Sequence, residues 1–395
     1  MGEKGMNEIY LDNAATTKPL ECVAQKVYET MLQTYGNPSS LHKKGIEAEN
    51  SIKVVSTFLS QKLGCLPEEI IYTSGATESN NMALLGVCDA YKRRANKIIT
   101  TPLEHPSVTE VFKELEKKSF EVHFVKVDEQ GYVQLEHLKS LLDDKTLLVS
   151  IMHVNNEIGT VQDIELLGQL IKAQNKEILF HVDAVQSFMK LPIQVKKGKI
   201  DLLSVSAHKF YGPRGVGFLY KNKNIRMSSL LYGGGQQKNI RSGTENVPGI
   251  MGLYEACKYM SDHDKTIIPH FRACKKYLAE GILNAIPDTF INGPTIEEGA
   301  PHILNISFEN IRAEVLLHAL EQKGVYVSSG SACSSHKKAS SGTLVAIGKT
   351  AGHLDSALRF SFSHDTTFKE LDEVIQILME QVALLRRYTL GGNKK

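Results

Sequence analysis

The chain has 395 residues, enough for one very large domain or for two. Lys and Arg number 46 against 44 Asp and Glu, a formal charge of +2 with no basic stripe, which excludes nucleic acid as the main partner. Six scattered cysteines with no CxxC pair favour a reducing compartment over a disulfide framework or a zinc site.

Residues 1–6 lack the apolar stretch of a signal peptide, and no apolar run approaches a membrane span, so a cytoplasmic protein is expected. Taken in order, strands and helices alternate. A short strand over 8–11 runs into the loop Asp12-Asn13-Ala14-Ala15-Thr16-Thr17, and Pro19 signals a helix start. A helix over 45–63 carries Ile52, Val55, Leu59 and Leu63 on one face, with Gly64 suited to its C-terminal cap. A strand over 69–73 gives way to Ser74-Gly75-Ala76-Thr77 and a second helix. Further strands are expected over 97–101, 121–127, 147–153, 178–182, 201–205 and 216–220, with helical faces at Val108, Val111, Phe112 and Leu115 and at Ile164, Leu167, Leu170 and Ile171. Such repeats predict an α/β fold, a mainly parallel sheet flanked by helices, with ligands at the carboxyl ends of its strands. His105, Asn156, Asp183 and Lys209 all fall just past strand ends, so one crevice is expected to gather them.

After residue 247 the pattern changes. Helices over 249–262 and 267–286 precede a strand over 303–308, a helix over 313–323, and strands over 325–328 and 357–362. The last helix opens on the capping box Thr367 to Glu370 and buries Leu371, Val374, Ile375, Leu378, Val382 and Leu385. A smaller α+β domain follows, giving a large domain at 12–260 and a small one at 1–11 and 261–395.

Certain residues carry chemistry. Lys209 follows a buried strand, where partial desolvation favours the neutral, nucleophilic amine. Strand, small residues, hydroxyl and helix start at 74–77 make an anion site, although a plain N-cap has the same composition. Asp183 reads alone as a helix N-cap, His105 as a structural histidine and Asn156 as a turn residue. Arg359 stands inside an apolar strand and, if buried, needs a carboxylate. Cys333 stands in a stretch rich in Ser, Gly and Lys that is expected to be exposed and mobile, where nearby cations favour a thiolate. The other five cysteines fall in helical or core-like contexts and read as structural.

Ser206-Ala207-His208-Lys209 with Gly212-Pro213-Arg214-Gly215-Val216-Gly217, and Ser328-Ser329-Gly330-Ser331-Ala332-Cys333, resemble the lysine and cysteine segments of the cysteine desulfurases. These are pyridoxal phosphate enzymes with the class V aminotransferase (PLP-transferase) fold, and the resemblance runs from 11 to about 385. It implies pyridoxal phosphate held by Lys209, with Ala76, Thr77, Ser206 and His208 around the cofactor. It also implies His105 stacked on the ring as a proton carrier, Asp183 at the pyridine nitrogen, and Gln186 and Asn156 at the ring oxygen. Thr244, in Arg241-Ser242-Gly243-Thr244, would serve the partner's cofactor phosphate across a homodimer, and Arg359 would hold the substrate carboxylate. Cys333 would take the sulfur of L-cysteine as a persulfide, releasing L-alanine and supplying iron–sulfur cluster assembly or tRNA thiolation through an acceptor protein. No resident metal is expected, transient ligation of an iron–sulfur cluster being the one metal role open to Cys333. A selenocysteine lyase, a pyridoxal phosphate aminotransferase and a catalytically silent sulfur-relay scaffold are the other readings. Ser334-Ser335-His336-Lys337-Lys338 departs from the family pattern after the cysteine, and a long C-terminal docking tail is not expected, which leaves the acceptor open.

Overall fold

Four central segments of the chain are buried along their whole length, the pattern of strands covered on both faces. The computed structural model describes residues 8–330 and 341–391. In chain order the elements begin β1 (Ile9–Tyr10), α1 (Glu21–Gln33), α2 (Lys43–Leu63), β2 (Ile70–Thr73), α3 (Ala76–Tyr91), β3 (Lys97–Thr100), α4 (Pro106–Glu116) and β4 (Glu121–Phe124). They continue with α5 (Leu135–Leu141), β5 (Thr146–Ser150), α6 (Ile164–Gln174), β6 (Leu179–Asp183), β7 (Leu202–Ser206), β8 (Gly217–Lys221), α7 (Val247–Asp262) and α8 (Asp264–Ala285). The last are β9 (Thr289–Ile291), β10 (Ile303–Phe308), α9 (Ala313–Glu321), β11 (Val325–Tyr326), α10 (Gly342–Ala346), α11 (Ala351–Leu354), β12 (Ala357–Ser361) and α12 (Phe368–Gly391).

The large sheet has the order β2-β8-β7-β6-β5-β3-β4. Its neighbours from β7 to β4 run parallel, and β8 is antiparallel to both β2 and β7. Alternate residues of each strand point to opposite faces. Ile98, Leu148, Leu179 and Leu202 pack with Met82, Leu84, Phe112 and Leu115 of α3 and α4. Ile99, Val149, Phe180 and Leu203 pack on the other face with Val55, Leu59 and Leu63 of α2 and with Ile171, Ile250 and Leu253. The α2 helix ends at Gly64 in the left-handed conformation (φ 71°), the cap its sequence announced.

The second sheet, β12-β10-β9, is antiparallel. Phe271 of α8 and Leu371, Val374 and Leu378 of α12 share one buried cluster with Ile306 and Leu358 of this sheet. That cluster is continuous with the core of the large sheet. The N-terminal strand β1 pairs with β11, and Asp12 and Ser328 bridge to the backbone of β12. Residue 260 lies in the last turn of α7, and α8 begins at Asp264. Strand β9 has no counterpart among the expected elements: it is three residues long and exposes Phe290, so neither length nor alternation marks it. Among the described residues no helix is long and apolar enough to cross a membrane.

Candidate active site

The carboxyl ends of the parallel strands open into a cavity of about 500 Å³. It is lined by Ala14, Ala15, Ala76, Thr77, His105, Asn156, Asp183, Gln186, Ser206, His208, Lys209 and Arg359, among others. Strand β7 ends at Ser206, and a single tight turn, Ala207–Lys209, carries the chain on. Lys209 is half-buried there, as expected for a residue at the end of a buried strand. Its Nζ donates to the carbonyls of Ala14 (2.8 Å) and Ala15 (2.7 Å), which tie it to the loop after β1. His208 in the same turn meets Thr16 Oγ1 at 3.2 Å. Burial, then the charges of Lys209, Arg214 and Lys190, push the His208 imidazole down to about 3, so it stays neutral.

Two strand ends supply the opposite wall. Asp183 closes β6 and is buried; its Oδ2 accepts from Asn80 Nδ2 (2.8 Å) and its Oδ1 from the Val185 N–H (3.0 Å). No helix begins after it, so its carboxylate is not an N-cap. His105 does cap a helix: its Nδ1 accepts from the Ser107 N–H at 3.1 Å, at the start of α4. The same ring lines the cavity. Burial above all, with Lys209 adding and Asp183 opposing, lowers its pKa.

The turn before α3 also has the form expected of an anion site. Gly75 precedes α3 with φ 148°, a backbone that side chains rarely adopt, and no side chain caps the helix. The first-turn N–H groups are therefore available to a ligand, with the helix dipole behind them. Glu78 in that turn is engaged by Arg241, whose Nε lies 2.7 Å from its Oε1. Burial raises the Glu78 carboxyl, and the bonds from Arg241 and Ser74 outweigh it to leave the pKa lowered.

Arg359 is fully buried in β12 and has the carboxylate partner its burial requires. Its Nη2 donates to Asp12 Oδ1 at 2.6 Å and its Nη1 to the Asn156 carbonyl at 2.8 Å, while its Nε is buried with no partner. Gln186 Nε2 donates to the Ala14 carbonyl at 2.8 Å, and His302 meets its Oε1 at 3.3 Å. The cavity thus gathers every expected site residue except two. Thr244 is exposed outside it, in an adjoining cleft with Arg241 and Gly215. Cys333 lies outside the described residues. Cys88, Cys257 and Cys274 are buried, in keeping with a structural role; Cys22 stands on the helix α1, one of the contexts expected, and is exposed there. Sequence reasoning did not single out Asp12, Asn80 or Ser107; Asp12 and Asn80 meet residues distant in the chain, and Ser107 joins Asn80 to the nearby His105.

Glu104 shapes the same wall from behind. Its Oε1 accepts from the Met152 N–H (2.9 Å) and the Thr101 hydroxyl (2.8 Å), and its Oε2 is buried without a partner. Burial, the largest cause, and the charge of Asp183 push its carboxyl up to about 8, against the bonds from Met152 and Thr101. A folded-state pKa above the ordinary 4.5 means the folded chain keeps a proton that the unfolded chain loses. That group's contribution to stability therefore falls as pH rises from about 4.5 to about 8. Glu104→Gln keeps both bonds at Oε1 and cannot ionise. Its melting temperature, followed across that range, is expected to depend less on pH than the wild type's; an unchanged slope would contradict a protonated Glu104.

Known proteins share this architecture. The family model Aminotransferase class-V matches residues 9–374. The cysteine desulfurase IscS of Salmonella paratyphi C (strain RKS4594) is 40% identical over 383 residues, covering 96% of this chain and 93% of its own. Among solved structures, a NifS-like protein is similar at TM-score 0.90 and 38% identity, over 96% of this chain and 100% of the other. SspA, solved in complex with cysteine, is similar at TM-score 0.80 and 31% identity, over 90% of this chain and 99% of its own.

Proposed function

The chain belongs to the class V aminotransferase family, and from that premise we infer that it is a pyridoxal phosphate-dependent cysteine desulfurase, turning L-cysteine into L-alanine. The observation that carries this reading is one cavity holding Lys209, Asp183, Arg359 and the uncapped start of α3.

The residues present fit the cofactor. A Cβ at Gly217 would come within 2.8 Å of the Gly75 Cα and 2.3 Å of the Val205 carbonyl, so α3 abuts the ends of β7 and β8 only because both positions are glycine. The phosphate would take the N–H groups of Ala76 and Thr77 and the hydroxyls of Thr77 and Ser206, with His208 beside them. The Asp183 carboxylate would keep the ring nitrogen protonated, and Gln186 and Asn156 would serve the ring oxygen. When bound, pyridoxal phosphate supplies an aldehyde for the lysine amine and a ring that takes up electron density from the substrate carbon.

The chain's own residues divide the remaining work. Arg359, oriented by Asp12, receives the substrate carboxylate. Lys209 would take the proton from Cα. His105 on the cavity wall serves the substrate thiol. The Cys333 thiolate attacks the substrate sulfur: an S–S bond forms, the Cβ–S bond breaks, and its electron pair stays with carbon, which takes a proton to become alanine. A homodimer in which Thr244 reaches the partner's cofactor phosphate accounts for that residue's exposure outside its own cavity. The persulfide sulfur passes to an acceptor protein, an iron–sulfur scaffold or a tRNA thiolation enzyme, in the cytoplasm. The large unit at 12–260 supplies the cofactor site, and the small unit at 1–11 and 261–395 supplies Arg359 and Cys333.

The test is alanine release from L-cysteine by the loaded protein, with a thiol reductant and no keto acid. Steady release is expected, and Arg359→Ala should raise KM roughly 10- to 100-fold, the worth of a lost charged hydrogen-bond pair. A requirement for added keto acid would make the protein an aminotransferase and overturn the reading.

A further inference from the structure

Asn80 and Ser107 have no part in the roles above, yet they join two residues that do. Asn80, on α3, is fully buried, and its Nδ2 donates to Asp183 Oδ2 at 2.8 Å and to Ser107 Oγ at 2.9 Å. A carboxylate oxygen accepts, so the amide nitrogen must face Asp183 and the orientation of Asn80 is settled. Its Oδ1 is left buried without a partner, a cost that the contacts on the other side have to offset. Ser107 Oγ, accepting from Asn80, lies 2.9 Å from His105 Nδ1. The Ser107 N–H donates to that same Nδ1 at 3.1 Å. A ring nitrogen that accepts a backbone N–H carries no hydrogen of its own, so the serine hydroxyl also donates to it. The bridge then runs in one direction, from the Asn80 amide through the Ser107 hydroxyl to Nδ1, while the other amide hydrogen is given to Asp183.

We propose that Asn80 and Ser107 are positioning residues that lock His105 in the Nε2–H tautomer and tie its ring to Asp183. The inference rests on the cysteine desulfurase reading for its use, not for its geometry. With Nδ1 held by two donors at the start of α4, the neutral ring begins each turnover as a hydrogen-bond donor through Nε2. Asp183 and His105, one at the foot of the cofactor site and one on its wall, are then fixed relative to each other by the fully buried Asn80.

The experiment is nitrogen NMR of selectively ¹⁵N-histidine-labelled protein, with and without pyridoxal phosphate, the His105 signals being assigned by their loss in His105→Gln. The wild type is expected to show a bare Nδ1 and a protonated Nε2 in both forms. Ser107→Ala removes one of the two donors to Nδ1 and should shift the tautomer ratio toward Nδ1–H by about five- to tenfold, the worth of one hydrogen bond. Alanine release should fall in step while cofactor absorbance is retained, and Ser107→Thr, which keeps the hydroxyl, should restore both ratio and rate. Asn80→Ala should move the ratio in the same direction. A protonated Nδ1 in the wild type, or a Ser107→Ala protein with the wild-type ratio, would overturn the proposal. Failure of the loaded wild type to release alanine would instead sink the desulfurase reading, and the cofactor-free spectra would still decide the bridge.

Discussion

Lys209→Ala is expected to abolish the borohydride-reducible chromophore of the loaded protein and to lower alanine release by roughly 10³-fold or more, since the proposed function makes one side chain both the cofactor's tether and the base at Cα. The position explains the size of the effect. The amine stands one tight turn beyond β7, at the mouth of a buried strand, and is oriented by the carbonyls of Ala14 and Ala15. Arg359, buried elsewhere on the cavity wall, is engaged by Asp12 and Asn156 and cannot form an imine. Loss of the side chain should leave the fold intact, because Lys209 is half-buried and the Ala14 carbonyl keeps a donor in Gln186 Nε2. Absorbance before and after borohydride, with far-ultraviolet circular dichroism as the control, reads the outcome. A variant that kept a reducible chromophore would place the tether on another amine.

Cys333→Ser should keep the chromophore and lose all enzyme-bound persulfide, with alanine formation falling to the background of unassisted sulfur loss. Cys333 lies outside the described residues, but both flanks of its segment are placed. On one side Ser328 exchanges backbone bonds with Arg359 at 3.2 and 2.7 Å. On the other, Ser341 donates to Glu157 Oε2 at 2.5 Å, one residue from Asn156. The chain therefore leaves from and returns to the wall that carries Arg359. No described cysteine is a ready substitute. Burial pushes the thiols of Cys65 and Cys88 up to about 12 and that of Cys274 up to about 11, raises that of Cys257 further, and leaves little thiolate on any of them. Cys22 is exposed, but it does not line the cavity. Mass spectrometry of the protein after one turnover under alkylating conditions distinguishes the outcomes, and a persulfide of normal yield in the variant would remove Cys333 from its role.

The sequence made some of this legible and hid the rest for physical reasons. Lys209, Asp183 and His105 could be placed together because the strands before them were legible and each falls just past a strand end; their roles came from the resemblance. The run at 303–308 is the strand found, to the residue. Arg359 was legible as a buried cation in want of a carboxylate, but Asp12, its partner, stands 347 positions away, and no local pattern connects them. Asn80 and Ser107 were invisible for a related reason. Each is an ordinary polar residue near a helix start, and only the packing of α3 against α4 and β6 sets them between Asp183 and His105. His105 is an instructive mixture: the structural role read for a lone histidine is present, in the form of a helix cap, and the capped ring also lines the cavity.

The central claim is that the sulfur of L-cysteine passes to Cys333 beside a cofactor held by Lys209. A single turnover of the loaded wild type with L-cysteine, no keto acid and no reductant tests it most directly, counting alanine and mapping persulfide by mass. One alanine for each persulfide, with the added sulfur on the peptide containing Cys333, is the predicted result. Alanine with no protein-bound sulfur, or a keto acid in place of alanine, would contradict it.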